Sequence, residues 1–321
     1  MADRIMTVKL LALGFLVPLT VLVIGTGATA SLWEGPFLGT FGRVLDSLAP
    51  HLLAMALVLC LLVAALSAVR TALVLAALAL VSGTVLARDH LAHTVPVAVA
   101  NPTWPHMTAI WFNLFEENPT PPARLVEAIA TSGADLVILA EAAPVCDTLA
   151  DLAETFPYQM GCGRHPGILV LSRLPFDADS PELVDISRPE RLVRFRIRQG
   201  NGVTLAVLAV HLAKPWFYGF VESDMWYVGN RLSQLDGPVL AVGDFNAAAW
   251  SRPLDHLLDD TGLRSPRRPV PTWPASSGGF GIPIDHMLVR GGARLTSLEP
   301  WGAELGSNHR GLRADVIWPP E

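Results

Sequence analysis

The sequence is short of charged residues and of cysteine. Asp, Glu, Lys and Arg make up 16% of its 321 residues, whereas 51% are hydrophobic and the mean hydropathy is +0.41. A soluble domain usually carries about 25% charged residues, so part of this chain is too apolar for a soluble surface. The three cysteines form no CxxC pair and no Cys/His spacing typical of zinc sites, which excludes those motifs.

A basic excess is also missing. The formal net charge is −6, and residues 101–321 alone hold 18 Lys and Arg against 25 Asp and Glu, a net charge of −7. Proteins that track nucleic-acid phosphates usually present a basic face, so the composition disfavours nucleic acid as a partner without excluding a local basic patch. Four arginines could form such a patch or simply be solvated surface: Arg252, Arg264, Arg267 and Arg268.

The apolar excess lies in the first ninety residues. Runs at about 8–30, 51–69 and 71–87 approach the ~20 residues that cross a bilayer as a helix. We expect three transmembrane helices in a membrane region 1–88, and hence a multi-pass protein of the cell (inner) membrane. The alternative is a cleaved signal peptide followed by a buried helical hairpin, although the apolar part of a signal peptide is only about 7–15 residues long.

Positive charges at the ends of these runs predict the topology. Arg4 and Lys9 precede the first run and Arg70 lies between the second and third, so the positive-inside rule places them on the cytoplasmic side. Three spans then place the rest of the chain in the periplasm or another extracytoplasmic space. There Cys146 and Cys162 could form a disulfide, the alternative being two free cysteines.

From residue 107 the pattern changes to short β-rich runs that alternate with polar helical stretches. Residues 89–106 mix Pro, His and polar residues and predict a linker, so 107–321 form the second domain. Strands are expected at 107–114, 135–141, 167–173, 191–198, 203–211, 238–244, 284–290 and 311–318. Helices are expected at 121–132, 144–155, 220–235 and 253–261. Strand runs joined without a helix indicate hairpins, so we expect an α/β domain of mixed sheets flanked by helices.

Isolated polar residues stand at the ends of many of these strands, where loops gather and sites are built. They are Asn113 after MTAIWF, Glu141 after ADLVILA, His211 after VTLAVLAV, Asp244 and Asn246 in PVLAVGDFN, and Asp285 in IDHMLV. A lone carboxylate after such an apolar run is costly to bury. Any one of them could simply terminate a strand, but the whole set indicates a site.

The order of these residues, closed by SNHRG at 307–311, resembles that of the endonuclease/exonuclease/phosphatase superfamily, whose members include deoxyribonucleases, abasic-site endonucleases and sphingomyelinases. The resemblance covers residues 107–318; GDFNA (243–247) is its most specific motif, and IDHMLV (284–289) supports it. It implies a four-layer α/β sandwich of two mixed sheets flanked by helices. It also implies metal-dependent hydrolysis of a phosphate ester by an attacking water.

The resemblance implies a role for each catalytic residue. Asp244 is expected to orient or deprotonate the attacking water, and Asn246 to hold a phosphate oxygen. His211 is expected to face another phosphate oxygen. His309 matches the second histidine of the family, with Asp285 as the carboxylate that fixes its tautomer and ring plane.

The resemblance likewise implies a metal site. Glu141 is the expected principal ligand of Mg²⁺ (or Mn²⁺), with Asn113 beside it. In the usual family pattern an aspartate precedes the last histidine and lies near the metal, whereas this chain has Asn308. An amide oxygen still ligates Mg²⁺ but brings no negative charge, so we expect weaker metal affinity with the chemistry retained.

The aromatic-rich stretch KPWFYGFVESDMWY, residues 214–227, follows His211. It predicts either helix packing with an exposed tip or an aromatic surface near the site that meets lipid head groups or stacks on a base. Lys214, Arg231 and Arg310 could add positive charge around the leaving group.

Three functional hypotheses follow from these patterns. The leading one is a membrane-tethered, metal-dependent phosphoesterase that acts on a phosphodiester or phosphomonoester. The alternatives are an extracytoplasmic nuclease and a non-catalytic lipid- or protein-binding domain on a membrane stalk. No obligate protein partner is indicated.

Overall fold

The structure, a computed structural model, describes residues 2–163, 167–177, 181–199 and 204–320. It divides into two compact units. The first consists of Met1–Ala92 with Trp250–Arg252, and the second of His93–Ala249 with Pro253–Glu321.

The first unit is helical. Its α-helices are α1 (Ala2–Thr29), α2 (Thr40–Ser47), α3 (Ala49–Ala65) and α4 (Val69–Ala92). A 3-10 helix (Ala30–Leu32) and a π-helix (Gly35–Gly39) lie between α1 and α2. The outer faces of the long helices carry exposed apolar side chains, as at Leu11, Leu61 and Leu73, which is typical of helices that face lipid rather than water.

Two helical segments, Asp3–Leu32 and Val69–Ala92, are long and apolar enough to cross a membrane. The segments Gly35–Ser47 and Ala49–Ala65 together make a pair bent by 72°, which adds a third span if the pair crosses as one. The spans therefore number two or three, where the sequence predicted three. The reason is length, because the 17 residues of α3 reach only about 25 Å at 1.5 Å per residue, less than the ~30 Å of a bilayer core.

The second unit contains the remaining elements. Its helices are α5 (Pro122–Ala130), α6 (Ala143–Cys146), α7 (Leu149–Leu152), α8 (Phe220–Ser233) and α9 (Arg252–Thr261). Its first seven strands are β1 (Thr94–Val95), β2 (His106–Asn113), β3 (Leu136–Ala140), β4 (Tyr158–Met160), β5 (Ile168–Ser172), β6 (Glu182–Val184) and β7 (Leu192–Arg198). The others are β8 (Thr204–His211), β9 (Val239–Asp244), β10 (Ser265–Pro266), β11 (Asp285–Arg290), β12 (Arg294–Leu295), β13 (Glu299–Trp301) and β14 (Gly311–Ile317).

The strands form two mixed sheets. The first has the order β12-β14-β2-β3-β5-β4, with β13 also paired to β14, and the second has the order β11-β9-β8-β7-β6. Each sheet has one central parallel pair, β2 with β3 and β8 with β9, and antiparallel neighbours on both sides of that pair. Strands β1 and β10 make a separate short parallel pair.

The two sheets pack face to face over a central apolar core that includes Trp111, Phe195 and Met287. The outer face of the first sheet packs against α5, α6 and α7, and that of the second against α8 and α9. Alternate strand residues point to opposite faces of a sheet, so a strand covered on both faces is apolar along its length, as β3 is and as β8 is between Thr204 and His211. The four-layer α/β sandwich is thus confirmed, and each predicted strand has its counterpart.

Two local predictions differ from the structure, and a third falls largely outside the described residues. The helix expected at 144–155 is two short helices, because the hydroxyl of Thr148 bonds to the carbonyl of Val145 where a longer helix would pass. Helix α4 continues to Ala92 and β1 follows, so the expected linker 89–106 begins in regular structure. The turn expected between β7 and β8 lies largely outside the described residues.

A disulfide joins Cys146 to Cys162, with the Cα atoms 5.5 Å apart. Cys146 ends α6, five residues after Glu141, and Cys162 lies just after β4. Of the two alternatives left by the sequence, the structure contains the bonded pair.

Candidate active site

Four of the predicted site residues lie on four different strands, and each points to the face of its sheet that covers the central core. Residues 107, 109 and 111 of β2 lie in the central core, and because side chains alternate along a strand, Asn113 points the same way. The same alternation directs His211, Asp244 and Asp285 inward from β8, β9 and β11. Strand pairing sets the last three side by side, since Asp244 is opposite His211 on one side and opposite Asp285 on the other.

Two further site residues leave their strands through backbone turns. Glu141 directly follows β3 at φ +52°, and Asn246 follows β9 at φ +50°. A left-handed conformation is costly for a glutamate, and such residues cluster at functional sites. The motif GDFN begins with Gly243, and a Cβ atom at this position would collide with the carbonyl oxygen of Val210 on β8. Glycine at 243 therefore permits the close approach of β8 and β9 that aligns His211 with Asp244.

His309 is held by a chain of hydrogen bonds. Its Nδ1 atom lies 2.8 Å from Oδ2 of Asp285, and Oδ1 of Asp285 accepts the indole N–H of Trp111 at 2.8 Å. The hydroxyl of Ser307 accepts the His309 backbone N–H at 2.9 Å and donates to the carbonyl of Asn113 at 2.7 Å. This arrangement ties the loop that carries His309 to the end of β2.

Asp244 lies at the centre of the site. Its Oδ2 atom accepts the amide of Asn113 at 3.2 Å, and it lies 3.7 Å from Nε2 of His211 and 3.8 Å from Nε2 of His309. Its Oδ1 atom accepts the backbone N–H of Asn246 at 2.9 Å. Asn246 is a local partner, two residues along the chain, whereas Asn113, His211 and His309 come from other strands and loops. The fold therefore assembles most of this cluster.

Burial and charge set the protonation of this cluster. Burial, together with the charge of Asp285, raises the pKa of Asp244 to about 7. Burial by itself disfavours the His309 cation, but the charge and hydrogen bond of Asp285 outweigh it and raise the pKa of His309 to about 9. Burial also opposes the charge of Asp285, whose pKa is nevertheless lowered by His309. At neutral pH the pair is an imidazolium beside a carboxylate.

His211 is neutral by contrast. Burial, followed by the charges of Arg191 and His309, lowers its pKa well below the usual value. Its Nε2 atom lies 3.7 Å from Oε1 of Glu141. Its Nδ1 atom is buried and has no hydrogen-bond partner among the described residues. The imidazole can therefore offer one N–H at Nε2 without adding charge.

The site contains carboxylate oxygens, the ligand type that a hard divalent cation prefers. One ligand atom each of Asp244, Asp285 and His309 lie within 4.8 Å of one another. However, the protonated imidazole of His309 has no lone pair with which to bind a metal ion. Both carboxylate oxygens of Asp285 already accept hydrogen bonds, from His309 and from Trp111. The side chain of Glu141 is 18% exposed, and its Oε1 atom accepts no hydrogen bond within the described part of the chain. Glu141 is therefore the carboxylate best placed to bind a cation.

The two remaining predicted residues lie at the edge of the cluster. The amide of Asn246 donates to the carbonyl of Leu212 at 2.9 Å, which ties the GDFN loop to the end of β8. Asn308 is exposed, whereas its neighbours Ser307 and His309 are buried. Its role as a metal contact stays a prediction.

A cleft of about 470 Å³ opens beside Glu141. Its charged lining balances three basic with three acidic residues, Arg188, Arg191 and Lys214 with Glu116, Glu117 and Glu141. Its aromatic lining consists of Phe115, Trp216, Phe217 and Phe220. Burial lowers the pKa of Arg191, while the charge of Glu141 opposes that shift. Arg188 and Arg191 were not predicted from the sequence, because they precede β7 in a segment with several arginines.

Arg231 and Arg310, which the sequence suggested as positive charges near the leaving group, are engaged elsewhere. Arg231 lies 3.2 Å from Glu182 and donates to the Tyr227 hydroxyl, and the guanidinium of Arg310 donates to the carbonyl of Pro271. Lys214 alone of the three suggested residues lines the cleft.

Comparison with known proteins identifies a family model and several solved structures that are similar to this chain. Residues 110–309 match the model of the Endonuclease/Exonuclease/phosphatase family. No curated protein matches the sequence. The endonuclease/exonuclease/phosphatase from Beutenbergia cavernae DSM 12333 is similar in structure, with a TM-score of 0.52 at 17% identity over 66% of this chain and 72% of its own.

Two other solved structures cover their own chains almost completely. D. rerio TDP2, complexed with a single strand DNA product, has a TM-score of 0.51 at 14% identity over 66% of this chain and 98% of its own. The endonuclease/exonuclease/phosphatase from Bacteroides vulgatus has a TM-score of 0.50 at 15% identity over 67% of this chain and 100% of its own. At these identities the likeness establishes the fold.

Proposed function

The chain belongs to the endonuclease/exonuclease/phosphatase family, and we propose that it hydrolyses a phosphodiester or phosphomonoester by attack of an activated water. Members of this family are metal-dependent nucleases, phosphodiesterases and phosphatases. The observation that carries this proposal is the single cluster formed by Asp244, His211 and the His309–Asp285 pair beside the exposed edge of Glu141. Phosphoryl transfer needs an oriented nucleophile and positive charge on the phosphate oxygens.

Asp244 is the proposed base. Its pKa of about 7 lies near the operating pH, where a general base transfers protons most efficiently. The amide of Asn113 holds Oδ2 and the backbone of Asn246 holds Oδ1, so the carboxylate cannot rotate freely. A water bound at Asp244 would lose its proton to this carboxylate as its oxygen bonds to phosphorus. The bond from phosphorus to the ester oxygen would break, and the departing alkoxide would take a proton from solvent.

The phosphate oxygens would meet donors from several elements. His309 presents the Nε2–H of a cation, His211 presents a neutral N–H, and the side chain of Asn246 lies on the adjoining loop. Arg191 brings a second positive charge from the cleft wall. These donors would stabilise the charge that develops on the phosphoryl group.

Glu141 would hold Mg²⁺ or Mn²⁺, with Asn113 and Asn308 as further oxygen ligands. When bound, such an ion polarises a phosphate oxygen and neutralises its charge. This chain supports that role by fixing Glu141, whose Oε2 atom accepts the backbone N–H of Glu116 at 2.8 Å.

We place the catalytic domain on the extracytoplasmic side of the cell membrane, most simply the periplasm. The positive charges at Arg4, Lys9 and Arg70 favour this orientation for three spans. The Cys146–Cys162 disulfide supports it, because structural disulfides persist in oxidising compartments.

The first test is hydrolysis of bis(p-nitrophenyl) phosphate by the full chain in detergent. We expect turnover in Mg²⁺ or Mn²⁺ that EDTA abolishes, and a loss of roughly 10²–10⁴-fold in Asp244→Asn. The matched control is Asp260→Asn, an exposed aspartate on α9, which should retain full activity. A well-folded wild type without turnover in either metal would refute the proposal and favour the non-catalytic binding domain.

An extracytoplasmic nuclease is the second candidate, favoured by Arg188, Arg191 and Lys214 in the cleft and opposed by the net charge of −7 over residues 101–321. Degradation of plasmid or single-stranded DNA that stops in EDTA and in Asp244→Asn would establish it. Intact DNA under conditions where the aryl diester is cleaved would exclude it.

A further inference from the structure

The segment that follows β8 carries a group of large aromatic side chains on its surface. Trp216 is 51% exposed, Phe217 40%, Phe220 54% and Trp226 70%. The rings of Trp216 and Phe217 lie 6.2 Å apart. We call these four residues the aromatic surface.

Exposure of the aromatic surface to water is unfavourable in free energy. Four large aromatic rings are exposed within eleven residues, and such a concentration of exposed apolar surface marks a site that meets a partner or a membrane. Nothing in the helix forces the exposure, because α8 packs against its sheet through other residues, among them Val228 and Leu232. The core beneath α8 is therefore complete without these four aromatic side chains, which remain exposed.

The aromatic surface is continuous with the mouth of the cleft. Trp216, Phe217 and Phe220 line the cleft together with Lys214 and Arg188, while the exposed carboxylates Glu116 and Glu117 also belong to its lining. The Lys214 ammonium lies over the Trp216 ring, 5.7 Å from its centroid. Aromatic rings beside exposed cations are the composition of a protein surface at the head-group level of a bilayer, where rings meet acyl carbon and cations meet lipid phosphate.

We propose that the aromatic surface binds the head-group and acyl boundary of a bilayer, with Lys214 and Arg188 against lipid phosphate, so that the cleft opens at the membrane surface. Two features favour a bilayer over single-stranded nucleic acid as the partner. Trp226, the most exposed of the four, is not among the cleft-lining residues, and residues 101–321 lack the basic excess that tracks a nucleic-acid backbone. The inference goes beyond the proposed hydrolysis and does not require it.

The test measures tryptophan fluorescence of the full chain in nanodiscs of phosphatidylcholine and phosphatidylglycerol, with brominated or ordinary acyl chains. Bromine quenches only nearby indoles. Of the nine tryptophans, the variant Trp216→Phe/Trp226→Phe removes the two on the aromatic surface and preserves apolar character. The control is Trp301→Phe, since Trp301 packs edge-on against Phe112.

We expect the double variant to lose part of the bromine-quenchable fluorescence, while Trp301→Phe retains the wild-type amplitude. An unchanged quenchable amplitude in the double variant would overturn the proposal. Quenching by a thymidine oligonucleotide that is present in wild type and absent in the double variant, without bromine quenching, would overturn it in favour of base stacking. Because neither readout needs turnover, failure of the hydrolysis proposal is detected separately by the aryl diester assay.

Discussion

The carboxylate of Asp285 binds the imidazole of His309 through one oxygen and the indole of Trp111 through the other, each at 2.8 Å. The indole fixes the carboxylate, and the carboxylate fixes the ring plane of His309 with Nε2 directed towards the Asp244 side of the site, 3.8 Å from that carboxylate. Asp285 has no free oxygen left for a substrate. In the proposed mechanism Asp285 therefore acts through His309, as a positioning residue.

Replacing Asp285 by asparagine should lower the pKa of His309. Burial disfavours the His309 cation, and the charge and hydrogen bond of Asp285, ahead of the charges of Asp244 and Glu141, raise its pKa to about 9. Without the Asp285 charge the buried imidazole should lose its proton at lower pH. Wild-type His309 should remain protonated until the pH rises through about 9, whereas in Asp285→Asn deprotonation should occur near or below the ordinary value of about 6.5. Imidazole NMR titration of the metal-free full chain measures both values.

The matched control for this titration is Asp260→Asn, which removes an exposed carboxylate on α9 and should leave the His309 titration unchanged. An Asp285→Asn protein whose His309 still titrates near 9 would show that another group sustains the cation.

Introducing a carboxylate at position 308 should tighten metal binding. Asn308 adjoins His309, and a carboxylate adds a negative charge that an amide lacks. We expect Asn308→Asp to lower the Kd for Mn²⁺ roughly tenfold, equivalent to about 1.4 kcal/mol. Mn²⁺ titration followed by electron paramagnetic resonance measures this directly, without turnover.

The control for charge alone is Asn230→Asp, at an exposed position on α8. If Asn308→Asp and Asn230→Asp change the Kd equally, the effect is long-range and position 308 is not a metal contact.

Much of the site could be predicted because its residues interrupt apolar strands. A polar residue at the end of an otherwise buried run is visible in the sequence, and the alternation along β2 and β9 fixes the face on which Asn113 and Asp244 lie. The family and the sandwich fold, which the motif GDFNA suggested, were confirmed. The partners of each residue depend on strand pairing across long separations, which periodicity does not reveal.

Arg191 illustrates this limit. It stands in a run of arginines that includes Arg194 and Arg196, and nothing local distinguishes it. Its backbone carbonyl accepts the N–H of His211, so only the pairing of β7 with β8 brings Arg191 to the cleft. The prediction of the number of membrane spans met the same limit, because hydropathy alone does not reveal the bend between α2 and α3.

The Cys146–Cys162 disulfide should stabilise the domain. It closes a separation of 16 residues, for which the loss of chain entropy in the unfolded state contributes roughly 3 kcal/mol. We expect Cys146→Ser/Cys162→Ser to lower the melting temperature of the full chain by several degrees. Reductant should lower the wild-type melting temperature to that of the variant and leave the variant unchanged. Equal melting of oxidised wild type and variant would contradict this role.

Asp224 of α8 connects the two walls of the cleft. Its Oδ1 atom accepts the Ser187 backbone N–H at 3.0 Å, and its Oδ2 atom accepts the Ser187 hydroxyl at 2.8 Å and the Ala213 backbone N–H at 2.9 Å. Ser187 adjoins Arg188, and Ala213 adjoins Lys214. The carboxylate thus sets the separation between two cationic side chains that line the cleft.

Replacing Asp224 by asparagine should widen or disorder this cleft without touching Asp244 or His309. The amide replaces one of the two accepting oxygens by an NH2 group, so one or two of the three hydrogen bonds are lost, and a buried donor left unsatisfied costs about 1–3 kcal/mol. We expect Asp224→Asn to raise the KM for bis(p-nitrophenyl) phosphate roughly tenfold, with a smaller change in kcat. Ser223→Ala, at an exposed neighbouring position on α8, should change neither constant. A fall in kcat at constant KM would place the effect of Asp224 on the reacting groups instead of on the cleft walls.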